Sequence, residues 1–450
     1  MIPEPAGTAM ASRATVKRVA REGIELGAAQ VAGAAGRFAT VFFLTRLMDP
    51  AAYGTLALLQ GIGLLGLAIV PAALTQSVLR YHPEAAAQGA TGDMRRILKP
   101  RLEKLAGAVA ALAAAGIVAW LALSGKGVPP TTLVAVVAAM AIIVPDTARA
   151  YELSVLSATR AQSRFAAWTA IDALVRPVGA VAAILLAGPG SDRVLVGLLV
   201  VVLLSNRACT RAFVREPSTR TPHGEAWMRE AWPRMKRYAL PLAPLALFVW
   251  IVAVGDRYAL AALHGRDAAG LYAAAYGIAS QPFIALGQVG LTIVRPRFFS
   301  AVDSGDLRRA RRVLLAVLAG VVACAIAGDA LIGLLAEPLT HVCFGQRFGS
   351  TAPLLAWIGA AFAFQAAQIV LEVLVYARHR TGRLLLVQAA AAVVAGVLYA
   401  ALIPRWGAWG AALATLGAYA VSCGLTAFQG DLAGLLRLSS AWRLGTSPDA

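Results

Sequence analysis

Leu105–Leu123 reads LAGAVAALAAAGIVAWLAL, 19 residues without a charge. A bilayer core about 30 Å thick needs about 20 apolar residues of helix to cross it. The stretch therefore reads as one transmembrane helix. Its flanks differ: Arg95, Arg96, Lys99, Arg101 and Lys104 crowd before it, and Lys126 alone follows. Basic residues gather in cytoplasmic loops, so this helix runs from inside to outside.

Working outward, eleven further stretches have the same character. The twelve cores lie near 23–45, 52–79, 105–123, 131–157, 165–187, 194–213, 239–263, 269–294, 313–335, 352–376, 384–403 and 407–428. Ala, Leu, Val and Gly dominate them, which suits close helix packing in lipid. Alternating strand segments are absent, which excludes an outer-membrane barrel. The first stretch follows Arg13, Lys17, Arg18 and Arg21 but is too long for a signal-peptide core, so it reads as an uncleaved span.

Composition agrees. Of 450 residues, 59% are hydrophobic and 14% charged, against about 25% charged in soluble domains. The net charge is +18, from 41 Lys+Arg against 23 Asp+Glu. With the N-terminus inside, 31 basic residues fall in inner segments, 6 in outer loops and 4 within spans. That asymmetry places both termini in the cytoplasm and accounts for the charge without nucleic acid. Four Cys and five His form no ligand spacing, so no metal centre or disulfide framework is expected.

The fold expected is an all-α integral membrane protein of about twelve helices in two six-helix lobes. The lobes are 1–213 and 238–450, joined by a basic cytoplasmic linker at 214–237. The halves look duplicated. A shift of 217 residues places Leu74-Thr75 on Leu291-Thr292, Arg80 on Arg297 and Tyr81 on Phe298. A shift of 220 places Glu152 on Glu372, Val155 on Val375 and Arg160 on Arg380. Six helices separate the copies, so the lobes share an orientation and are related by a pseudo-two-fold axis along the membrane normal. That is a transporter architecture.

Two motifs add a family resemblance. Arg46-Leu47-Met48-Asp49-Pro50-Ala51-Ala52-Tyr53-Gly54 closes the first helix, and Asp256-Arg257 with Gly270-Leu271-Tyr272 marks the seventh and eighth. These resemble the polysaccharide transporter family, the Wzx-type O-antigen flippases of the multidrug/oligosaccharidyl-lipid/polysaccharide exporter superfamily. The resemblance implies a flippase in the bacterial cytoplasmic (inner) membrane. It would move an undecaprenyl-pyrophosphate-linked oligosaccharide by alternating access, for surface polysaccharide biosynthesis. Implied partners are the lipid-linked substrate, membrane lipids, and a polysaccharide polymerase with its chain-length machinery. No cofactor is implied beyond proton or sodium coupling. The alternative is a cation-coupled multidrug antiporter of the same superfamily, which also has twelve helices; related lipid II flippases usually have fourteen. A membrane polymerase or ligase is disfavoured: each outer loop is short and no nucleophile or metal constellation appears, so no catalytic residue is assigned.

Ionisable residues inside spans are the site candidates, because an Arg at mid-bilayer costs about 2.5–3.5 kcal/mol on insertion scales. Arg suits pyrophosphate through its planar bidentate fork. Arg37 has no acid within four positions and is the first candidate for the substrate phosphate; its structural alternative is bonding to helix carbonyls. Arg257 is the second, with an interlobe structural role as its alternative. Arg176 is the third, although Asp172 four residues earlier favours an ion pair on one helix face. Asp146 is the preferred coupling-ion carboxylate, with Asp256, Asp172 and Glu372 as further candidates and Asp329 secondary. Glu152 and Glu372, each followed by an Arg, read as braces at equivalent helix ends. Pro71, Pro145, Pro177, Pro241, Pro244 and Pro282 fall within spans, where a proline is tolerated or bends the helix.

Overall fold

The computed structural model describes residues 27, 29–125, 128–214, 222–240, 242–378 and 382–438. The basic residues before the first span, together with Lys126, Pro241 and Arg380, lie outside the described residues.

Where their residues are described, all twelve expected stretches fall on helix. In chain order the helices are α1 (29–47), α2 (Pro50–Leu67), α3 (Ala73–Ala87), α4 (Thr91–Leu123), α5 (Pro130–Ala141), α6 (Ile143–Ala158), α7 (Gln162–Ala187), α8 (Ser191–Phe213), α9 (Pro222–Ala239), α10 (Leu242–Asp303), α11 (Leu307–Leu334), α12 (Ala336–Cys343), α13 (Ala352–Ala377), α14 (Gly382–Gln429) and α15 (Leu432–Leu436). Among the described residues nine helical runs are long and apolar enough to cross a membrane. Two long runs are each a pair of helices joined at a glycine: α10 breaks at Gly265 (φ 86°) and α14 at Gly407 (φ 51°). Both backbones sit where a Cβ is strained, so glycine makes the reversal between spans. No strand occurs among the described residues. Large apolar side chains such as Leu112, Trp120, Leu123, Leu185, Leu186, Leu334 and Phe428 are exposed on these helices. That pattern belongs to a multi-pass membrane protein whose outer solvent is lipid.

The prolines act unequally. Pro71 sits in a π-helical turn, Ala68–Ala72, that joins α2 to α3. Pro145 follows a one-residue break at Ile142 between α5 and α6, where its missing N–H leaves the preceding turn one hydrogen bond short. Pro177 and Pro282 lie inside continuous helices, and Pro244 is in the first turn of α10.

The chain divides into two compact units. One holds 1–40 with 62–243, and the other 41–61 with 244–450. In the first unit α7 and α5 pack on α8, and α3 and α4 on α6. The described part of the segment between the spanning halves is α9. Its buried Trp227, Met228, Ala231 and Met235 fall on one helical face. They pack with Val78, Ala85, Met94, Leu98 and Leu102 of α3 and α4. Glu84 accepts hydrogen bonds from Arg234 (2.5 Å) and from the Trp227 indole (3.1 Å). Arg234 holds the Glu84 carboxyl below its ordinary value. Arg96 bridges Asp93 (3.2 Å) and Glu225.

In the second unit α13 packs on α14 and α11. The end of α1 and the start of α2 pack here as well. Gly54 and Gly270 meet backbone to backbone, and a Cβ on either would collide with the carbonyl of Arg266 or Pro50. The Trp250 indole donates to the Gly61 carbonyl at 2.7 Å, and the Tyr258 hydroxyl to that of Leu58 at 2.6 Å. Arg46 donates to the carbonyls of Val342 (2.5 Å) and Cys343 (3.0 Å) and lies over the Phe42 ring. A cation there meets the unsatisfied carbonyls at the C-terminus of α12.

Candidate functional site

Four intramembrane charges of the first unit form one group. Asp146 and Arg149 stand one turn apart on α6, and Asp172 and Arg176 one turn apart on α7. Arg176 contacts Asp172 at 3.0 Å and Asp146 at 2.5 Å. Arg149 contacts Asp172 at 3.0 Å and Asp146 at 3.5 Å. Each acid thus touches both arginines, and the quartet has no net charge. Partial burial makes each lone charge costly, and mutual pairing offsets that cost. Alongside, the Asn206 amide on α8 donates to the Pro145 carbonyl at 2.6 Å, where the α5–α6 break has disturbed the helix.

Of the sequence candidates, the structure therefore brings Asp146, Asp172 and Arg176 together and adds Arg149. Arg37 stands apart. It is exposed, and its guanidinium lies back along α1 over Gly33. The neighbouring Gly36 packs against the Ala173 backbone of α7. Adjacent residues point about 100° apart on a helix, so Gly36 faces the packed side and Arg37 does not. Glu152 is 1% exposed and joined to Arg95 (2.8 Å) and Lys99 (2.6 Å). It ties α6 to α4.

The second unit handles its buried charge differently. Asp256 on α10 is 0% exposed. One carboxylate oxygen accepts the Arg257 backbone N–H (2.8 Å) and the other accepts the Thr415 hydroxyl (3.2 Å). Thr415 in turn lies 3.2 Å from the Tyr272 hydroxyl. No ion pair joins Asp256 to the Arg257 side chain among the described residues. The Arg257 guanidinium instead lies 4.1 Å from the Tyr276 ring centroid, a cation–π contact. Tyr276 meets Phe362 edge to face, Phe362 meets Tyr419, and the Tyr399 hydroxyl donates to the Val252 carbonyl. The carboxylate is held by hydroxyls and backbone, and the cation by an aromatic face.

Two acids remain less enclosed. Glu372 on α13 has the Tyr376 hydroxyl at 3.4 Å. Asp329 on α11 lies against the Gly359 backbone, and its Oδ1 has no hydrogen-bond partner. Among the described residues Glu372 has no Arg or Lys ion-pair partner like those of Glu152, although the repeat aligns the two; Arg380 lies outside them. Arg378 pairs with Asp431 instead, at 2.5 Å. The aromatic group around Arg257 carries no sequence signal, because Tyr276, Phe362 and Tyr419 come from separate helices. No group of three or more metal-ligating side chains occurs among the described residues.

No protein-family model matches the sequence, and no curated protein matches it. Solved structures do match in fold. An inward-facing multidrug resistance MATE family transporter of the MOP superfamily superimposes with TM-score 0.69 at 12% identity, covering 91% of this chain and 96% of that one. The lipid II flippase MurJ in an inward closed conformation gives 0.66 at 12% identity, covering 94% and 90%. A MOP superfamily transporter from Pyrococcus furiosus, described by a reversed polarity of its binding pocket, gives 0.53 at 12% identity, covering 93% of each chain. At such identity the likeness is one of fold, and nearly the whole of this chain has the helical fold shared by these transporters of the MOP superfamily.

Proposed function

We propose that this protein is a flippase that moves a lipid-linked oligosaccharide, carried on an undecaprenyl-pyrophosphate anchor, across the bacterial cytoplasmic membrane by alternating access. The observation that carries this reading is the sign of the charge left accessible within the first unit's spans. Asp146 and Asp172 are each engaged by two arginines, and Arg37 is an exposed cation on α1. An anionic pyrophosphate needs a cation in the hydrocarbon layer, whereas an organic cation needs an acid. The fold is common to drug transporters and to a lipid flippase, so the charge separates the two readings. The resemblance of Arg46–Gly54 and Asp256–Tyr272 to Wzx-type flippases points the same way, toward surface polysaccharide biosynthesis alongside a polymerase.

Arg37→Ala is expected to abolish surface polysaccharide at unchanged membrane expression, and Arg37→Lys to restore part of it. Normal polymer from Arg37→Ala would overturn the assignment.

Coupling to a proton or sodium is the second part of the proposal. Asp146 is engaged by Arg149 and Arg176, so Glu372 takes the coupling role; among the described residues it accepts one long hydrogen bond, from Tyr376. Glu372→Gln keeps that bond and removes the charge. It is expected to lose ion-dependent flux in reconstituted vesicles, and wild-type flux would reject the role. The drug-antiporter reading draws on Glu372 and Asp329; it predicts that Arg37→Ala leaves transport of an organic cation intact.

A further inference from the structure

A groove of about 460 Å³ opens between α4, α6 and α8 of the first unit. One end is charged, with Lys99, Glu103, Arg207 and Arg211; the other is apolar, with Val144 and Leu203. Arg207 and Arg211 are four apart on α8 and so share a face. Both are exposed, and neither has a carboxylate partner among the described residues. Lys99 already holds Glu152 at 2.6 Å, which fixes its ammonium at the groove. Asn206 also lines the groove and is 7% exposed. Its amide nitrogen is used on Pro145, and its buried Oδ1 has no hydrogen-bond partner among the described residues.

We propose that this groove binds the phosphodiester headgroup of an anionic phospholipid of the cytoplasmic leaflet. The charged end lies on the side that the basic loops mark as cytoplasmic. Arg207 and Arg211 supply bidentate donors to one phosphate. The Glu103 carboxylate is an acceptor at the groove, which suits a headgroup that also carries hydroxyls, as a phosphoglycerol does. Leu203 is 41% exposed, so an acyl chain continues from the phosphate past Leu203 and Val144 of the groove. That amphipathic order, charge then hydrocarbon, fits a lipid and not a free anion. Basic pockets between helices at this membrane surface recognise anionic headgroups in this way. The inference does not depend on which substrate the protein moves.

The test uses the purified full-length chain in detergent micelles, with native mass spectrometry counting bound lipid. Phosphatidylglycerol is expected to be retained over phosphatidylcholine. The preference should fall about fivefold for each arginine removed in Arg207→Gln and Arg211→Gln. Arg308→Gln with Arg312→Gln, exposed residues of α11, should leave it unchanged. If the double groove variant fails to fold, either single variant carries the same comparison. An undiminished preference in the groove variants, or an equal fall in the α11 control, would overturn the site. Displacement by millimolar inorganic phosphate would make it a free-anion site. Displacement by a polyprenyl phosphate ahead of phosphatidylglycerol would assign it to the transported lipid instead. Either result also overturns the proposal.

Discussion

The two units stabilise buried charge in opposite ways. In the first, four ionised side chains on α6 and α7 neutralise one another. In the second, a single carboxylate on α10 is held by a hydroxyl and a backbone N–H, while its neighbouring arginine turns to an aromatic ring. The sequence repeat makes this contrast informative. The shift of 220 that aligns Glu152 with Glu372 places Ala366, Ile369, Ala392 and Gly396 opposite Asp146, Arg149, Asp172 and Arg176. The shift of 217 places Ala39 and Thr40 opposite Asp256 and Arg257. The helical frame is duplicated and the buried charge is not. Each unit has its own polar chemistry on a shared scaffold of small and aliphatic residues.

The strongest way to break this comparison is to unbalance the quartet. Asp172→Ala leaves two arginines facing one acid. Breaking a buried pair costs about 3–5 kcal/mol, so a marked fall in thermal unfolding temperature in detergent is expected. Replacing all four residues with apolar ones of similar volume should recover most of that loss. If Asp172→Ala costs less than 1 kcal/mol, the quartet does not hold α6 to α7.

A smaller effect tests the second unit. Tyr276→Leu removes the ring beneath Arg257 and should cost about 0.5–2 kcal/mol. Tyr276→Phe keeps the ring face and should stay close to wild type in the same unfolding measurement. Equal losses in the two variants would show that the hydroxyl, and not the cation–π contact, is what matters.

The smallest expected effect lies outside the membrane. Glu84 titrates below its ordinary value because Arg234 donates to it. Its contribution to docking α9 is therefore complete above the ordinary carboxylate range. It is lost as pH falls through the lowered folded-state value. Proteolytic cleavage within α9 should rise at acid pH, and Glu84→Gln should flatten that dependence. Unchanged protection across the range would show that the apolar contacts of Trp227, Met228 and Met235 suffice.

Part of the site was legible from spacing alone. Asp172–Arg176 and Asp146–Arg149 are one helical turn apart, so each pair shares a face whatever surrounds it. Their union was not legible, because α6 and α7 meet through a packing angle that no local pattern records. Spacing alone therefore gives Asp146 as a coupling-ion candidate beside Arg149 without showing its contact with Arg176. The Arg257 surroundings were hidden in the same way: Tyr276 is nineteen positions along the chain, and Thr415 and Tyr419 lie on another helix.

The sequence by itself determined the number of spans, because hydrocarbon thickness sets how many apolar residues a helix needs. It also gives an expected orientation, because basic loops stay inside. Tertiary structure alone decided which charges meet and which remain exposed. It set Asp146 among arginines, left Arg37 outward from the packed side of α1, and gave α9 to the ends of α3 and α4. Those outcomes depend on contacts between residues tens to hundreds of positions apart, where burial and pairing are properties of the packed helices and not of any one of them.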